Sequence, residues 1–362
     1  EIQSTFQVRI RTMLYSLLRP LLFRLDPETT HRITLSAIKY AHQFRLLHNR
    51  SVDCEHHNIM GIDFPNPIGL AAGLDKNGEY INALAAFGFG FIEIGTVTPR
   101  PQLGNLKPRL FRITQANAII NRLGFNNEGV DAVVQNIEKA NYPGILGINI
   151  GKNYDTPMEK ACDDYLECMR KVYCYASYIV INISSPNTPN LRKLQNTEEL
   201  DHLLKTLKSE QTKLANDYGK YTPLVVKVAP DLESTQVTSI AMLLIRHKID
   251  GVIATNSTLS RGEVESLPNS EEIGGLSGSP LTKISTNIIR QLHAVLQDAV
   301  PIIGVGGIMC ASDAQEKMDA GASLIQIYTG LIYQGPELVR DAVNAVCKSK
   351  TIILQKNADR EN

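Results

Sequence analysis

The sequence lacks an excess of charge of either sign, because its 37 Lys and Arg residues balance its 37 Asp and Glu residues. No net field therefore draws the protein to nucleic acid or to anionic lipid, and we predict no nucleic-acid partner. No stretch approaches the roughly 18 uninterrupted apolar residues that a membrane-spanning helix requires. Because 43% of the 362 residues are nonetheless hydrophobic, the sequence indicates a large buried core and, by default, an enzyme that acts on small molecules.

The six cysteines form no Cys-x-x-Cys pair and no cluster with histidine at metal-ligand spacing. We therefore predict no metal site, and we expect free buried thiols in a reducing compartment. Three of them recur every six residues, which scatters them over different faces of a helix, so we interpret them as packing residues: Cys162, Cys168 and Cys174.

Residues 1–48 are predicted to form an N-terminal extension of two amphipathic helices. The segment 2–23 carries a leucine-rich stripe at steps of three and four residues, edged by arginines. The stretch Asp26-Pro27-Glu28 supplies an N-cap, a proline at the first helical position and an acid in the first turn, which predicts a second helix to about Leu47. The pair either packs on the core as decoration or lies in a membrane interface, where it would admit an apolar substrate.

From residue 49 to residue 362, apolar and often β-branched runs alternate with segments of helical spacing. Strands that alternate with helices force a parallel sheet, and eight such units match an α/β fold of the (β/α)8 TIM-barrel class. A doubly wound open sheet is the alternative. The eight predicted strands are Asn66–Leu70, Phe91–Val97, Ile145–Ile150, Tyr178–Ile183, Leu224–Val228, Gly251–Ala254, Pro301–Val305 and Ser323–Tyr328. The predicted helices are Asn77–Phe87, Asn127–Ala140, Pro157–Tyr175, Thr197–Tyr218, Glu233–Lys248, Thr282–Leu296 and Ser312–Ala320.

In such a barrel the active site lies at the C-terminal ends of the strands, so the residues that follow each strand are candidates. The fourth strand leads into Asn182–Thr188, whose amides and hydroxyls can hydrogen-bond a small polar heterocycle without repelling an anion. An ordinary turn is the alternative for these residue types. Glycines after the seventh and eighth strands, and in residues 274–278, leave open backbone N–H groups that suit a phosphate, although a tight turn would also need them.

Two lysines stand at predicted strand ends, where burial demands a partner for their charge. Lys227 could hold an electron-rich ring edge or an anionic reduced cofactor, and Lys76 a carboxylate. A Schiff-base lysine and a structural salt bridge are the alternatives. Residues 118–127 add further amides, and we expect this segment and residues 258–280 to be loops.

Six motifs follow one another between about residue 21 and residue 346: Ala71–Lys76, Glu93–Pro99, Ile120–Asn126, Asn182–Thr188, Gly274–Gly278 and Ile303–Gly307. Together they resemble the dihydroorotate dehydrogenase family, specifically its membrane-associated class that uses quinone. The resemblance implies an FMN-containing barrel that oxidises (S)-dihydroorotate to orotate in de novo pyrimidine (UMP) synthesis and passes the electrons to ubiquinone.

By position, the resemblance implies that Ser185 takes a proton from C5 of dihydroorotate while the C6 hydride goes to N5 of FMN. The soluble class has cysteine there, so a serine assigns the chain to the quinone-using class. Serine is a poor base that needs a dry pocket and a proton relay, for which Thr188 and a water are the expected carriers.

The implied FMN ligands are Ala71, Ala72, Gly73, Lys76, Thr96, Asn149, Asn182, Lys227, Thr255, Ser277, Gly278, Gly306, Gly307, Tyr328 and Thr329. The implied substrate ligands are Lys76, Asn121, Arg122, Leu123, Gly124, Phe125, Asn182, Asn187, Asn256 and Ser257.

The resemblance also implies a quinone tunnel between the two N-terminal helices, ending near the flavin at His31, Arg112 and Tyr328. A surface histidine is the alternative for His31. Two features depart from the family pattern: Thr96 stands where serine is common, and residues 258–273 do not align. The resemblance further implies a monomer on the surface of the mitochondrial inner membrane, with any targeting or anchor segment before the first residue.

Overall fold

A computed structural model describes residues 15–47 and 54–347 of the chain. At its centre eight parallel strands close into a barrel, in which each strand pairs with the next along the chain and the eighth pairs with the first. This closed ring confirms the predicted (β/α)8 barrel and excludes the doubly wound open sheet. The barrel strands are Ile68–Leu70, Phe91–Val97, Ile145–Ile150, Tyr178–Asn182, Leu224–Val228, Gly251–Ala254, Ile302–Val305 and Leu324–Ile327.

The strands are apolar without alternation because both of their faces are covered. All seven residues of Phe91–Val97 are buried, by the helices on one side and by the barrel interior on the other. Aromatic rings fill the N-terminal end of this interior. The ring of Phe64, from a hairpin that precedes the barrel, packs 5.2 Å from that of Phe91, which in turn lies 6.3 Å from that of Tyr178. The open end is therefore the C-terminal one.

The helices that separate the strands follow the prediction, with shorter ends in some cases. The helix predicted at Asn77–Phe87 covers only Ile81–Ala85, because the carboxylate of Asp75 accepts hydrogen bonds from the backbone N–H groups of Glu79 and Tyr80 and holds them in a loop. The other helices after the first seven strands are Val130–Ala140, Ala161–Val172, Thr197–Tyr218, Ser234–Arg246, Thr282–Leu296 and Ala311–Asp319, and the eighth strand is followed by Thr329–Gln334 and by residues 337–347.

An antiparallel sheet of three strands, Leu110–Ile113, Ala118–Asn121 and Gly275–Gly278, stands beside the barrel. It corrects the prediction that residues 118–127 and 258–280 are loops throughout. The strand Gly275–Gly278 is rich in glycine and pairs with residues more than a hundred positions away, from Asn121 to Ala118. A short run of this kind has no periodic signal, so only long-range pairing makes it a strand.

The N-terminal extension consists of a helical segment, residues 15–22, and the helix Pro27–Gln43. The side chain of Asp26 caps the second helix by accepting a hydrogen bond from the N–H of Thr29 at 2.8 Å, as predicted. This helix ends at Gln43 rather than near Leu47, and residues 1–14 lie outside the described part of the chain. Within that part, no helix is both long and apolar enough to cross a bilayer.

A disulfide joins Cys54 to Cys347, which corrects the prediction that all six cysteines are free. The two residues are 293 positions apart, and they meet because closing the barrel brings its first segment beside the C-terminal helix. The packing role predicted for three other cysteines holds for Cys168, which is buried, and for Cys162, which is partly buried against the core, but it is wrong for Cys174, which is exposed.

Candidate active site

A polar cavity lies at the C-terminal ends of the barrel strands, as the fold class predicts. Loops that are far apart in the sequence converge on it. They include the glycines after the seventh strand, those in residues 274–278, and the stretch after the fourth strand. The predicted residues that line it are Ala71, Ala72, Gly73, Lys76, Thr96, Asn121, Leu123, Gly124, Phe125, Asn182, Ser185, Asn187, Lys227, Thr255, Asn256, Ser257, Ser277, Gly278, Gly306, Gly307, Tyr328 and Thr329.

The ammonium group of Lys227 is the least satisfied charge in this cavity. The residue is 5% exposed, and no hydrogen-bond acceptor for its Nζ occurs among the described residues. Burial lowers the pKa of Lys227, whereas the charge of Glu93 raises it. A buried cation without a hydrogen-bond partner is costly, so the site is built for a ligand that presents an anionic or electron-rich edge to Lys227.

A hydrogen-bond network below the cavity holds its polar groups in place. Glu93, which is fully buried, accepts from Nδ2 of Asn149 at 2.9 Å. Oδ1 of Asn149 then accepts from the hydroxyl of Thr96 at 2.6 Å and from Nδ2 of Asn182 at 3.1 Å. Asn149, a predicted cofactor ligand, is not among the residues that line the cavity. It therefore influences the site indirectly, by orienting the side chains of Thr96 and Asn182. Sequence reasoning missed Glu93, although a carboxylate inside an apolar strand is a visible signal.

Ser185 lies in the loop after the fourth strand, 5% exposed and facing the cavity. Its Oγ accepts a hydrogen bond from the backbone N–H of Asn187 at 3.2 Å. The hydroxyl of Thr188, three residues further on, is buried and has no hydrogen-bond partner in the part of the chain that the structure describes. Buried hydroxyls are normally paired, so the unpaired hydroxyl of Thr188 is unusual and marks this residue as a candidate for a role beyond packing.

Arg192 clamps the loop that carries Ser185. Its guanidinium donates to the carbonyl oxygens of Ser184 at 3.0 Å and of Ser257 at 2.9 Å, and it pairs with the carboxylate of Asp231 at 2.7 Å. The clamp joins the loops after the fourth, fifth and sixth strands across one edge of the cavity. It therefore restricts the positions that Ser185 can adopt.

Lys76 is the second lysine that lines the cavity. Its Nζ donates to Oδ1 of Asn126 at 2.5 Å. Burial and the nearby positive charge of Arg109 lower the pKa of Lys76 to about 7, against the charge of Glu28, which raises it. An ammonium group with such a pKa is only partly protonated at neutral pH, so a bound carboxylate would stabilise its charged form.

A model of the dihydroorotate dehydrogenase family matches residues 55–348 of the chain. A dihydroorotate dehydrogenase (quinone) of Nitrosospira multiformis is 64% identical over 93% of this chain and 97% of its own length. The chain belongs to the dihydroorotate dehydrogenase family. Another relative with the same name, from Acinetobacter baylyi, is 60% identical over 92% of this chain and 100% of its own length. The predicted resemblance to the quinone-using class is thereby confirmed.

Solved structures of this family have the same fold. The dihydroorotate dehydrogenase of Eimeria tenella, in a complex with ferulenol, superposes with a TM-score of 0.84 at 37% identity, covering 92% of this chain and 93% of that one. Its ligand-free form superposes with a TM-score of 0.82. The similarity therefore includes the extension as well as the barrel.

In this family member an apolar chamber of about 590 Å3 lies between the extension and the barrel. His31, Arg112 and Tyr328, the three residues predicted for the quinone site, all line it. Tyr328 also lines the polar cavity, so its side chain stands in the wall between the two spaces. The first helical segment, whose contribution the resemblance left open, provides Tyr15, Leu18 and Leu22.

The polar groups that line the apolar chamber are either uncharged or satisfied by neighbouring protein groups. Burial and the charge of Lys76 lower the pKa of His31 to about 4, so its imidazole is neutral at neutral pH. Arg112 donates to the carbonyl oxygen of Leu25 at 2.9 Å, and its guanidinium stacks 4.5 Å from the ring of Phe23. The chamber therefore suits an apolar ligand with a few hydrogen-bonding atoms near Tyr328.

Arg122, a predicted substrate ligand, does not line the cavity. Its guanidinium pairs with Glu272 at 2.6 Å and stacks on the ring of Phe111 at 4.5 Å. Because successive residues of an extended chain point to opposite faces, Asn121 faces the cavity and Arg122 faces away from it. A direct contact between Arg122 and substrate stays a prediction.

Proposed function

We propose that this protein oxidises (S)-dihydroorotate to orotate in de novo pyrimidine synthesis, with FMN as its bound cofactor and ubiquinone as the final electron acceptor. The observation that carries this proposal is the position of Tyr328 in the wall of both the polar cavity and the apolar chamber. A polar substrate and an apolar quinone would reach one flavin from two separate spaces. The names of the bacterial relatives support the same reaction.

The polar cavity fits FMN by its chemistry. The unsatisfied ammonium of Lys227 suits the electron-rich edge of an isoalloxazine ring, which becomes anionic on reduction. Thr96 and Asn182 offer oriented, uncharged hydrogen-bonding groups beside it. Gly278, Gly306 and Thr329 line the side where the phosphate would bind. Bound FMN would supply a two-electron acceptor that takes the C6 hydride of dihydroorotate at N5. Family membership favours this role of Lys227 over a Schiff-base lysine.

Ser185 is proposed as the general base that removes the proton from C5. A serine hydroxyl performs this role only if its own proton is passed on at the same time. The unpaired hydroxyl of Thr188 supports a relay in which a water accepts that proton between the two side chains. The Arg192 clamp would keep Ser185 in place during the transfer.

The substrate ligands are proposed to be the ammonium and amide groups that line the same cavity as Ser185. Lys76 would pair with the carboxylate of dihydroorotate. Asn187 donates to the backbone oxygen of Asn121 at 3.1 Å, and Asn256 donates to Oγ of Ser184 at 3.0 Å, so the amide groups are oriented before a substrate binds. Oriented amides of this kind distinguish a ring with several polar edges from an apolar ring.

The proposal is tested with the anaerobic protein and dihydroorotate in a stopped-flow spectrometer. We expect a yellow preparation whose flavin absorbance bleaches on mixing and returns when ubiquinone is added. The variant Ser185→Ala should retain flavin and orotate binding but reduce flavin about 10²–10⁴ times more slowly, because only proton removal is lost.

Ser270→Ala serves as the matched control, since it removes a buried hydroxyl that donates to the backbone oxygen of Glu265 and does not line the cavity, so it should slow reduction far less. Near-normal reduction in Ser185→Ala would remove Ser185 from the role of base. A protein that cannot be reconstituted with FMN would refute the proposed function itself.

The N-terminal extension is proposed to dock on the surface of a membrane that contains quinone. Apolar side chains of this extension are well exposed, among them Leu17 at 70% and Phe44 at 73%. The two relatives with the name dihydroorotate dehydrogenase (quinone) are bacterial, and the mitochondrial inner membrane stays a prediction, as do the monomeric state and the domain boundary at residue 48.

A further inference from the structure

Lys317, in the helix Ala311–Asp319, carries a fully buried ammonium group with no carboxylate beside it. Its Nζ donates to the backbone oxygen of Thr282 at 2.7 Å and to the hydroxyls of Ser285 at 2.6 Å and Thr286 at 2.5 Å. Within residues 15–47 and 54–347, no acidic side chain forms an ion pair with it. A buried cation that meets only neutral acceptors is expensive, so a compensating anion is expected nearby.

The three acceptors of Lys317 connect it to the glycine loop of the polar cavity. They belong to the first turn of the helix Thr282–Leu296. In the same turn, the hydroxyl of Thr282 donates to the carbonyl oxygen of Gly307 at 2.7 Å, and that of Ser285 donates to the carbonyl oxygen of Gly306 at 2.9 Å. The ammonium group therefore lies one layer behind the two glycines that line the cavity.

We propose that Lys317 is a positioning residue that supplies the positive charge for the phosphate group of the bound flavin, so that the site selects phosphorylated over unphosphorylated flavin. This inference rests on the proposed function, because it assumes that FMN is the cofactor. All three N–H groups of the ammonium are used, so Lys317 acts through its charge and through the glycine loop that it holds, and it does not touch the ligand.

The state of the ammonium group is compatible with this role. Burial lowers the pKa of Lys317 to about 8, while Glu316 and Asp313 on its own helix raise it and Arg290 on the neighbouring helix lowers it. Lys317 is therefore mostly protonated at neutral pH. A phosphate beside the glycine loop would favour the protonated form further.

The test compares FMN with riboflavin, which differs only by the phosphate. Apo-protein is titrated with each flavin, and binding is followed by flavin fluorescence. For Lys317→Met we expect the affinity for FMN to fall by about tenfold to a hundredfold, as for the loss of one charge interaction at intermediate distance. The affinity for riboflavin should change by less than about twofold.

Lys152→Met is the matched control. Lys152 is also buried, and its ammonium group also donates to backbone oxygens, those of Asn153 and Thr156. However, Lys152 does not line the polar cavity and makes no hydrogen bond to the glycine loop or to the helix turn behind it. Its loss should change the affinities for both flavins by the same factor. Inorganic phosphate is the second probe, because it should compete with FMN at lower concentration in the wild-type protein than in Lys317→Met.

An equal effect on both flavins, together with unchanged competition by phosphate, would overturn the role of Lys317. If Lys317→Met does not fold, Lys317→Gln is measured in the same way, and unaltered selectivity in that variant has the same meaning. Failure of the wild-type protein to bind FMN would instead refute the proposed function, so the two failures are distinguishable.

Discussion

Replacing Glu28 by glutamine should separate the quinone half-reaction from the substrate half-reaction. Glu28, in the second helix of the extension, accepts two hydrogen bonds from the guanidinium of Arg109, at 2.7 and 3.1 Å, and lies 3.3 Å from Nζ of Lys107. Arg109 directly precedes the barrel-side strand Leu110–Ile113, and its side chain is only 6% exposed. The pair therefore ties the second helix of the extension to this strand, and both elements contribute residues to the wall of the apolar chamber.

The magnitude follows from the burial of the two partners. Removing one member of a buried pair costs about 3–5 kcal/mol. Glu28 is 22% exposed, and Arg109 keeps its hydrogen bonds to the backbone oxygens of Leu103 and Asn105, so we expect a loss of about 2 kcal/mol. For a chain of this size, the melting temperature should fall by roughly 3 °C.

The loss should depend on pH. Burial raises the pKa of Glu28, but the hydrogen bonds and charges of Arg109 and Lys107 outweigh burial and leave the pKa below its ordinary value. A carboxyl group whose pKa is depressed by folding stabilises the protein above its unfolded pKa, and this stabilisation is lost as the pH falls through the folded pKa. The difference in melting temperature between wild type and Glu28→Gln should therefore be present at neutral pH and disappear in acid.

The assay is stopped-flow measurement of the two half-reactions, each with saturating substrate. Saturation is needed because Glu28 also raises the pKa of Lys76, so its loss would weaken binding of dihydroorotate. In Glu28→Gln, the rate of flavin reduction should stay within about twofold of the wild-type rate. Reoxidation by ubiquinone should slow by about tenfold, because the loss of a buried contact displaces the chamber wall that positions the quinone.

The matched control is Asp63→Asn, which breaks an exposed pair with His56 on the hairpin at the other end of the barrel. It should alter neither half-reaction and should change stability by less than about 0.5 kcal/mol. Equal slowing of both half-reactions in Glu28→Gln, or an undiminished melting temperature, would show that the Glu28–Arg109 pair does not support the chamber.

Two further predictions concern a lysine and the disulfide. As the pH rises through about 7, Lys76 loses its proton, so KM for dihydroorotate should rise; Lys76→Gln should bind weakly at every pH, and a wild-type profile as flat as that of the variant would contradict the assignment. Cys54→Ala removes a cross-link between positions 293 apart and should cost about 2–4 kcal/mol, measured by denaturant unfolding without reductant. Cys174→Ala, at an exposed free thiol, is its control, and equal stability of the two variants would refute the cross-link's contribution.

The barrel could be predicted from the sequence because each of its strands is marked by a local pattern of apolar residues. Strands buried on both faces need uninterrupted apolar runs, and Phe91–Val97, Ile145–Ile150, Leu224–Val228 and Gly251–Ala254 have the predicted bounds. The rule that sites lie at the C-terminal ends of barrel strands then placed Ser185 and its neighbours in one cavity. Local order along the chain was sufficient for these features.

Only the tertiary structure decided which distant groups meet. The disulfide of Cys54, the strand Gly275–Gly278 and the shared wall at Tyr328 all depend on contacts between residues that are far apart in the chain. The same is true of two charged residues whose role the sequence left unexplained, Glu93 and Lys317. The closed barrel removes water from both, and only the structure shows which groups then become their hydrogen-bond partners. Periodicity reports which face of an element is buried, but the free energy of a buried charge depends on neighbours that the chain order does not reveal.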